Sequence, residues 1–319
     1  MAHASDEVLV VGGGIAGIAC ARALHDADVP VVVRDRGRRL GGRMAVRTVE
    51  GRPVDVGASY VTATHPLFVE QVERWQADQL IEPWTDTFHV ATPEGIAGTT
   101  TGPMRYRTPL GLRSLVESLA VGLAVLSGDD VGEVGPGPTA DGRRQAAVVL
   151  AMPDPQALDV LSDDLVDVRS AASHSYQPSL TLVTHWDRRS WPRLDGVFVN
   201  DSAVLTWIAD DGRRRGDDAP VLVAHAAPVL AAEHLDHPDG AAAQMVSELR
   251  CVLGISDEPR SGFVQRWSLA RPAESSTLPF HLGEHRVGLC GDGWHGSSKV
   301  ESAFLSGRGL GHALRELVA

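Results

Sequence analysis

Short apolar runs alternate with stretches of helical spacing at both ends of the chain, and that alternation predicts an α/β core. Val8–Val11 is apolar throughout and ends in Gly12-x-Gly14-x-x-Gly17, after which an Ala/Leu-rich helical pattern runs from Ile18 to Leu24. Strand, glycine turn and helix are predicted in succession. Val29–Val33 is a second, β-branched strand, closed by Arg34 and Asp35. Ala146–Ala151 has the continuous apolar character of a strand buried on both faces, and Val287–Leu289 is a further short strand. Helices are predicted over 113–123, from Leu115, Val116, Leu119 and Leu123, and over 300–317.

The middle of the chain has a different texture. Residues 66–101, with Trp75 and Trp84, read as an amphipathic helix followed by short strands, and 135–142 is a Gly/Pro-rich turn region. Beyond Ser170, Leu180–Trp186, Val197–Val199, Val204–Ile208 and Val221–Ala226 are β-type runs parted by polar loops, which predicts an antiparallel sheet. A helix is predicted over 240–253. A chain of 319 residues exceeds one ordinary core. Two lobes are therefore expected: a nucleotide-binding domain of 1–65, 103–168 and 273–319, and a substrate domain of 66–102 and 169–272.

The glycine spacing carries the first chemistry. Gly12 permits a tight turn, Gly14 lets backbone approach a pyrophosphate, and Gly17 lets helix pack close on strand. Phosphate oxygens then meet free N–H groups at the helix N-terminus. A turn that is merely glycine-rich is the bland alternative in a chain with 33 glycines. Asp35, 18 residues beyond Gly17, stands where an acid accepts hydrogen bonds from a ribose diol; the alternative is a solvated acid in the basic loop Arg34–Arg39. Those arginines also fit a 2′-phosphate, which Asp35 would repel. Downstream, Leu40-Gly41-Gly42-Arg43-Met44 supplies a second glycine turn that suits the length of FAD, with Arg43 offsetting pyrophosphate charge. Asp292, in Gly291-Asp292-Gly293 ahead of the last helix, is a ligand for ribityl hydroxyls or a plain N-cap.

Composition removes other classes. A net charge of −12 argues against a nucleic-acid partner. Cys20, Cys251 and Cys290 form no CxxC pair, and His234-x-x-His237 lacks a third ligand, so no metal is expected. No Gly-x-Ser-x-Gly elbow is present. The Lys+Arg total of 29 contains one lysine, Lys299, which confines active-site-lysine chemistry to that position. Met1–Glu7 lacks the charged region of a signal peptide, and the least polar stretch, 8–21, is too short and glycine-rich to span a bilayer. A cytoplasmic location with no membrane partner is expected.

VVGGGIAGIACARAL, Asp35, LGGRM, DVGASY, GLCGDGW and KVESAFLSG resemble the FAD-dependent amine oxidase and renalase superfamily. HPLFVEQVERW (65–75), RYRTPLGLRSLVESLA (105–120), VLVAHAAP (221–228), HLD (234–236) and QRWSLARP (265–272) are most similar to bacterial renalase-like NAD(P)/FAD-dependent oxidoreductases. The resemblance implies an α/β fold with a Rossmann-type, glutathione reductase-like FAD-binding domain. It further implies a p-hydroxybenzoate hydroxylase-like two-domain architecture, with an α+β substrate domain built on an antiparallel sheet.

It implies FAD contacts from Gly12, Gly14, Ile15, Ala16, Gly17, Asp35, Arg36, Gly42, Arg43, Met44, Gly57, Ala58, Ser59, Val131, Gly291, Asp292, Lys299, Val300 and Glu301. Substrate contacts are expected from Tyr60, Trp207, His225, Trp267, Trp294 and His295. Flat rings can sandwich a planar dihydronicotinamide, and a histidine can hydrogen-bond its amide or take a proton; core packing and structural hydrogen bonds are the competing roles. No protein group is expected to be catalytic, because the flavin carries the reaction.

The implied activity is oxidation of dihydro isomers of NAD(P)H, with two electrons passed to O2 to give H2O2, by a monomer or homodimer. An amine oxidase or desaturase-like tailoring flavoenzyme is one alternative, and a non-catalytic FAD-fold binding protein another. The chain departs from the renalase-like pattern at 209–220, ADDGRRRGDDAP, where a Lys-Pro-Gly turn is usual. In related amine oxidases a lysine contacts flavin N5 through water; the only lysine here is Lys299, which favours the renalase-like branch.

Overall fold

A computed structural model describes residues 6–318; Ala319 and residues 1–5, on which part of the leader expectation rests, lie outside the described residues. Among the described residues, segments 6–44, 113–176 and 271–318 pack as one unit, and 45–112 with 177–270 as a second.

The first unit is built on a six-stranded sheet with Val8–Val11 at its centre. That strand runs parallel to Ala147–Leu150 on one side and to Val31–Asp35 on the other. Val287–Leu289 and Ala124–Ser127 extend the parallel array, and His281–Leu282 closes one edge antiparallel. Val8–Val11 and Ala147–Leu150 are wholly buried, which is why they show no polar alternation. A small antiparallel meander of Val134–Gly135, Thr139–Ala140 and Arg143–Arg144 occupies the expected turn region. Two helices, Asp154–Val160 and Val166–Ala171, are additional to the sequence expectation, being too short to show a periodic apolar face.

The first helix is Ile15–His25, starting three residues before the predicted one because Gly14, in extended conformation, already serves as N-cap. The last helix, Val300–Val318, packs along it. The approach is backbone to backbone: a Cβ on Gly307 would fall on the Ala16 carbonyl, and one on Gly311 would lie 2.6 Å from the Cys20 oxygen. Only glycine permits that spacing at these positions.

The second unit holds an eight-stranded sheet. In order across it, the strands are Ser261–Pro272, Tyr176–His185, Val221–Ala226, Leu205–Asp210, Gly196–Val199, Glu82–Thr92, Gly95–Arg107 and Val61–Thr62. The sheet is mixed, not purely antiparallel, because Gly196–Val199 runs parallel to Glu82–Thr92. Where short strands were expected after the 66–77 helix, two long ones form a hairpin. Residues 96–104 of the second are all exposed, so no apolar alternation marked it. Segment 45–65 belongs with this unit and not with the nucleotide-binding one: Val46–Val49 pairs with Arg52–Asp55, and Val61–Thr62 adds to the sheet edge. Residues 103–112 follow the same hairpin into it. The Ala242–Leu253 helix buries Met245, Leu249, Val252 and Leu253 in a core with Leu182, Leu222 and Ala224.

Substituting Gly307 by Ala forces the first and last helices apart. The expected loss is about 1–3 kcal/mol of stability, in the range of overpacked cores, read as a lowered thermal midpoint. An unchanged midpoint would mean the helices do not pack this closely.

Candidate functional site

In the first unit the glycine turn forms as the spacing predicts. Gly12 takes a φ of +112°, and a Cβ at Gly17 would collide with the Gly12 carbonyl, so helix and turn touch through backbone. The first helix has no side-chain cap. A Cβ added to Gly14 would meet nothing within 4 Å, so the open space ahead of the helix lies against its N–H groups, including those of Ile15, Ala16 and Gly17.

Asp35 ends its strand with its carboxylate folded over the turn, accepting from the Gly13 N–H and, at 2.6 Å, from the Gly37 N–H. Its neighbour Arg34 points elsewhere, donating to Asp129 and Asp141 at 2.8 Å each and to the Asp130 carbonyl at 2.6 Å. Arg34 therefore ties the strand end to the loop that carries Val131, which is buried, and it is already paired rather than awaiting a 2′-phosphate. Arg36 is exposed.

Arg43, in the turn Gly42–Met44, makes a two-pronged pair with Asp292: Nη1 to Oδ2 at 2.9 Å and Nη2 to Oδ1 at 2.5 Å. Ser298 Oγ donates to the same carboxylate at 2.8 Å, and the Gly291 N–H donates to Ser306 Oγ. The guanidinium lies over the Tyr176 ring, 5.6 Å from its centre. Burial, followed by the Asp292 charge, pushes the Tyr176 phenol up, so it stays protonated. Asp292 thus does not act as a simple cap for the last helix. Lys299 is exposed just ahead of that helix, Val300 begins it, and Glu301 is buried in its first turn.

Trp294 is buried in the first unit's core, with His174 against it edge-on and His281 stacked at 6.5 Å. It packs there against both imidazoles. The His174 ring and backbone N–H both meet Asp154 Oδ2, at 2.6 and 2.9 Å. His295 adopts a left-handed φ of 68°, its N–H bonded to the Leu278 carbonyl.

The second unit gathers Tyr60, Trp207 and His225. Trp207 packs with Phe88 and Tyr60, at ring distances of 4.7 and 5.6 Å. Trp207 and His225 are register partners on adjacent antiparallel strands, which places their side chains on one face of the sheet. The Trp207 Nε1 and His225 Nε2 atoms are both buried without a hydrogen-bond partner. Burial, with Arg214 adding to it, pushes the His225 imidazole down to about 4. Trp267 spends its indole N–H on the Val56 carbonyl at 2.8 Å, holding the turn that contains Gly57, Ala58 and Ser59.

The same turn is gripped by a buried charge cluster that the sequence reading passed over. Arg214 and Arg215 lie in a short helix, Asp211–Arg215, with Asp210 as N-cap and Gly216 as C-cap at φ 78°. Those two caps are legible in the 209–220 segment, but the triple arginine makes it look like a solvated loop. Asp55 and Asp211 are the buried counter-ions. Tyr176 and Arg105 were also missed; Arg105 is buried with its guanidinium 4.3 Å from the Phe88 ring centre. Among the described residues, no group of three or more His, Cys, Asp or Glu could hold a metal ion, and no helix is long and apolar enough to cross a membrane.

Comparison with known proteins agrees with the cradle. Residues 10–74 match the model of the NAD(P)-binding Rossmann-like domain, and residues 87–309 match that of flavin containing amine oxidoreductase. The chain belongs to the flavin-containing amine oxidoreductase family. Its particular relatives include flavin-containing amine oxidase B of Sus scrofa, 48% identical over 59 residues, which are 18% of this chain and 11% of that protein. Polyamine oxidase 2 of Arabidopsis thaliana is 46% identical over 57 residues, 18% of this chain and 12% of that protein. The matches therefore span about a tenth of the length of these relatives. The fold matches a putative protoporphyrinogen oxidase from Exiguobacterium over 99% of this chain and 100% of that one, with a TM-score of 0.77 and 14% identity. It also matches putrescine oxidase over 96% and 98%, with a TM-score of 0.75 and 14% identity. FAD is the cofactor of this family, and the uncapped glycine-turn helix with open space before Gly14 fits its pyrophosphate.

His225 is expected to stay neutral down to about pH 4 in an NMR titration of its ring signals, against an ordinary midpoint of ~6.5. The folded chain then refuses a proton that the unfolded chain accepts. Stability accordingly falls as pH drops from about 6.5 towards 4, and His225→Phe flattens that decline. A midpoint at the ordinary value would contradict the burial.

Proposed function

We propose that this protein is an FAD-dependent oxidase whose substrate is a small planar reduced ring bearing a carboxamide, an isomeric dihydro-NAD(P). The reaction consumes the dihydro isomer, O2 and a proton, and yields NAD(P)+ and H2O2. Bound FAD would supply the two-electron redox chemistry. The chain's own residues bind and orient.

One observation carries this reading: the buried, unpartnered Trp207 Nε1 and His225 Nε2 on one face of the second unit's sheet. An unsatisfied buried polar group costs about 1–3 kcal/mol, so two side by side favour a ligand that satisfies both. A carboxamide offers an oxygen to accept from the indole N–H and an N–H for a neutral imidazole to take. The depressed His225 titration keeps that imidazole neutral at physiological pH. The Trp207, Tyr60 and Phe88 rings supply flat apolar contact and keep water away.

Amine oxidation is the second reading, favoured by the amine and polyamine oxidases among the relatives. A protonated amine fits less well beside an imidazole that already feels the Arg214 cation. We also assign the first unit to the glutathione reductase-like class, supported by its five parallel strands with an inserted meander. The passage of the chain back and forth between two units supports the p-hydroxybenzoate hydroxylase-like arrangement.

Anaerobic mixing of the yellow holoprotein with 2- and 6-dihydro-NAD(P) is expected to bleach the flavin, with putrescine and aryl amines leaving it oxidised. Bleaching by amines alone would replace this reading with amine oxidation. No bleaching by any donor would favour a non-catalytic FAD-binding protein.

A further inference from the structure

Three strands of the second unit's sheet, Tyr176–His185, Val221–Ala226 and Leu205–Asp210, lie side by side and antiparallel. Thr181 pairs with His225, and His225 with Trp207. Directly opposed residues share a face, so hydroxyl, imidazole and indole form one row across the three strands. Each carries a buried polar atom without a hydrogen-bond partner: Thr181 Oγ1, His225 Nε2 and Trp207 Nε1. Among the described residues, the other such atoms are arginine Nε atoms and the Nε2 atoms of His185 and His281, none of them in this row. Thr181 itself is 1% exposed.

Two features separate this row from ordinary packing. Thr184, on the other face of the same strand, is just as buried, yet its hydroxyl accepts from the Trp186 indole at 3.0 Å and donates to the Leu222 carbonyl at 3.4 Å. Where the threonine serves the fold alone, its hydroxyl is satisfied. The second feature is a bulge: Leu205 pairs with Ala226, but the next pair is Trp207 with His225. An unbroken ladder would set Thr206 against His225 and turn Trp207 to the face of Ala224 and Ala226. The extra residue re-aims the indole onto the face of Thr181 and His225. Beyond Trp207 the row continues to Phe198, with the two ring centres 5.1 Å apart, so a polar end passes into an aromatic one.

A primary carboxamide has an acceptor oxygen and two N–H donors. The Trp207 indole takes the oxygen and the His225 imidazole one N–H, which leaves the second N–H to be matched. We propose that Thr181 is a specificity-determining residue of the substrate site: its hydroxyl accepts the second carboxamide N–H, in line with His225 and Trp207. This rests on the dihydro-NAD(P) reading and deepens it. A ring whose carbonyl carries no N–H satisfies the indole but leaves the hydroxyl and the imidazole unmatched, so the row selects the primary carboxamide.

The test compares NAD+ with its acetylpyridine analogue, which keeps the carbonyl oxygen and replaces the NH2 by methyl. Both are titrated calorimetrically into the holoprotein and into its Thr181→Val and Thr181→Ser variants. The unmodified protein is expected to prefer NAD+ about tenfold or more, and Thr181→Val to narrow that preference about fivefold or more, the factor carried by a hydrogen bond at a buried polar group. Thr181→Ser keeps the preference. Because the lost hydroxyl has no partner in the free protein, the melting temperature of Thr181→Val is expected to equal or exceed that of the unmodified chain. A purely structural threonine would weaken both ligands alike. A preference unchanged in Thr181→Val, whether or not its melting temperature falls, overturns the role of Thr181 and leaves the carboxamide reading standing. An unmodified protein that binds neither ligand, or both equally, overturns that reading and this proposal with it. Should Thr181→Val not fold, Thr181→Ala is read by the same criteria.

Discussion

The ion pair between Arg43 and Asp292 joins residues 249 positions apart within the first unit. One partner sits in the second glycine turn, the other between the last parallel strand and the last helix. With Ser298 also donating to Asp292, the carboxylate has no freedom to turn away. Around this pair the unit closes on itself: the last helix lies backbone to backbone against the first, and the first begins at the glycine turn. Beginning and end of the chain thus meet within one unit.

The second unit solves a different problem with the same chemistry. Arginine forks on buried aspartates hold a backbone turn, where a hydrophobic contact would hold it less specifically. Elsewhere in that unit the Trp207 Nε1 and His225 Nε2 atoms are among the buried polar atoms that lack a hydrogen-bond partner. Buried polar atoms are usually paired, so the Trp207 and His225 atoms on one sheet face are what supports the proposed ligand there.

What the sequence made legible was local. Gly12, Gly14, Gly17 and Asp35 declare themselves because strand, turn and helix are contiguous and each glycine answers a steric demand within a few residues. The apolar runs at Val8–Val11 and Ala147–Leu150 were equally plain, being buried on both faces. The hairpin of Glu82–Thr92 and Gly95–Arg107 was obscured because its outer strand presents Gly, Thr and Pro to solvent with no apolar alternation. What a tryptophan packs against is decided by tertiary surroundings, so Trp294 in one core, Trp207 in another and Trp267 tied to Val56 look the same in sequence. The arginines of 213–215 gave the opposite signal to their fate, since burial of two of them depends on Asp55, which lies far away in the chain.

The account stands most directly on the Arg43–Asp292 pair as the organiser of the flavin cradle. The measurement that tests it is the ratio of FAD to protein in purified Asp292→Ala, read from the visible flavin band against the protein absorbance. The account predicts a stoichiometric flavin in the unmodified protein and loss of most of it in the variant, with the fold retained by circular dichroism. A folded Asp292→Ala protein that keeps its full complement of FAD would contradict it.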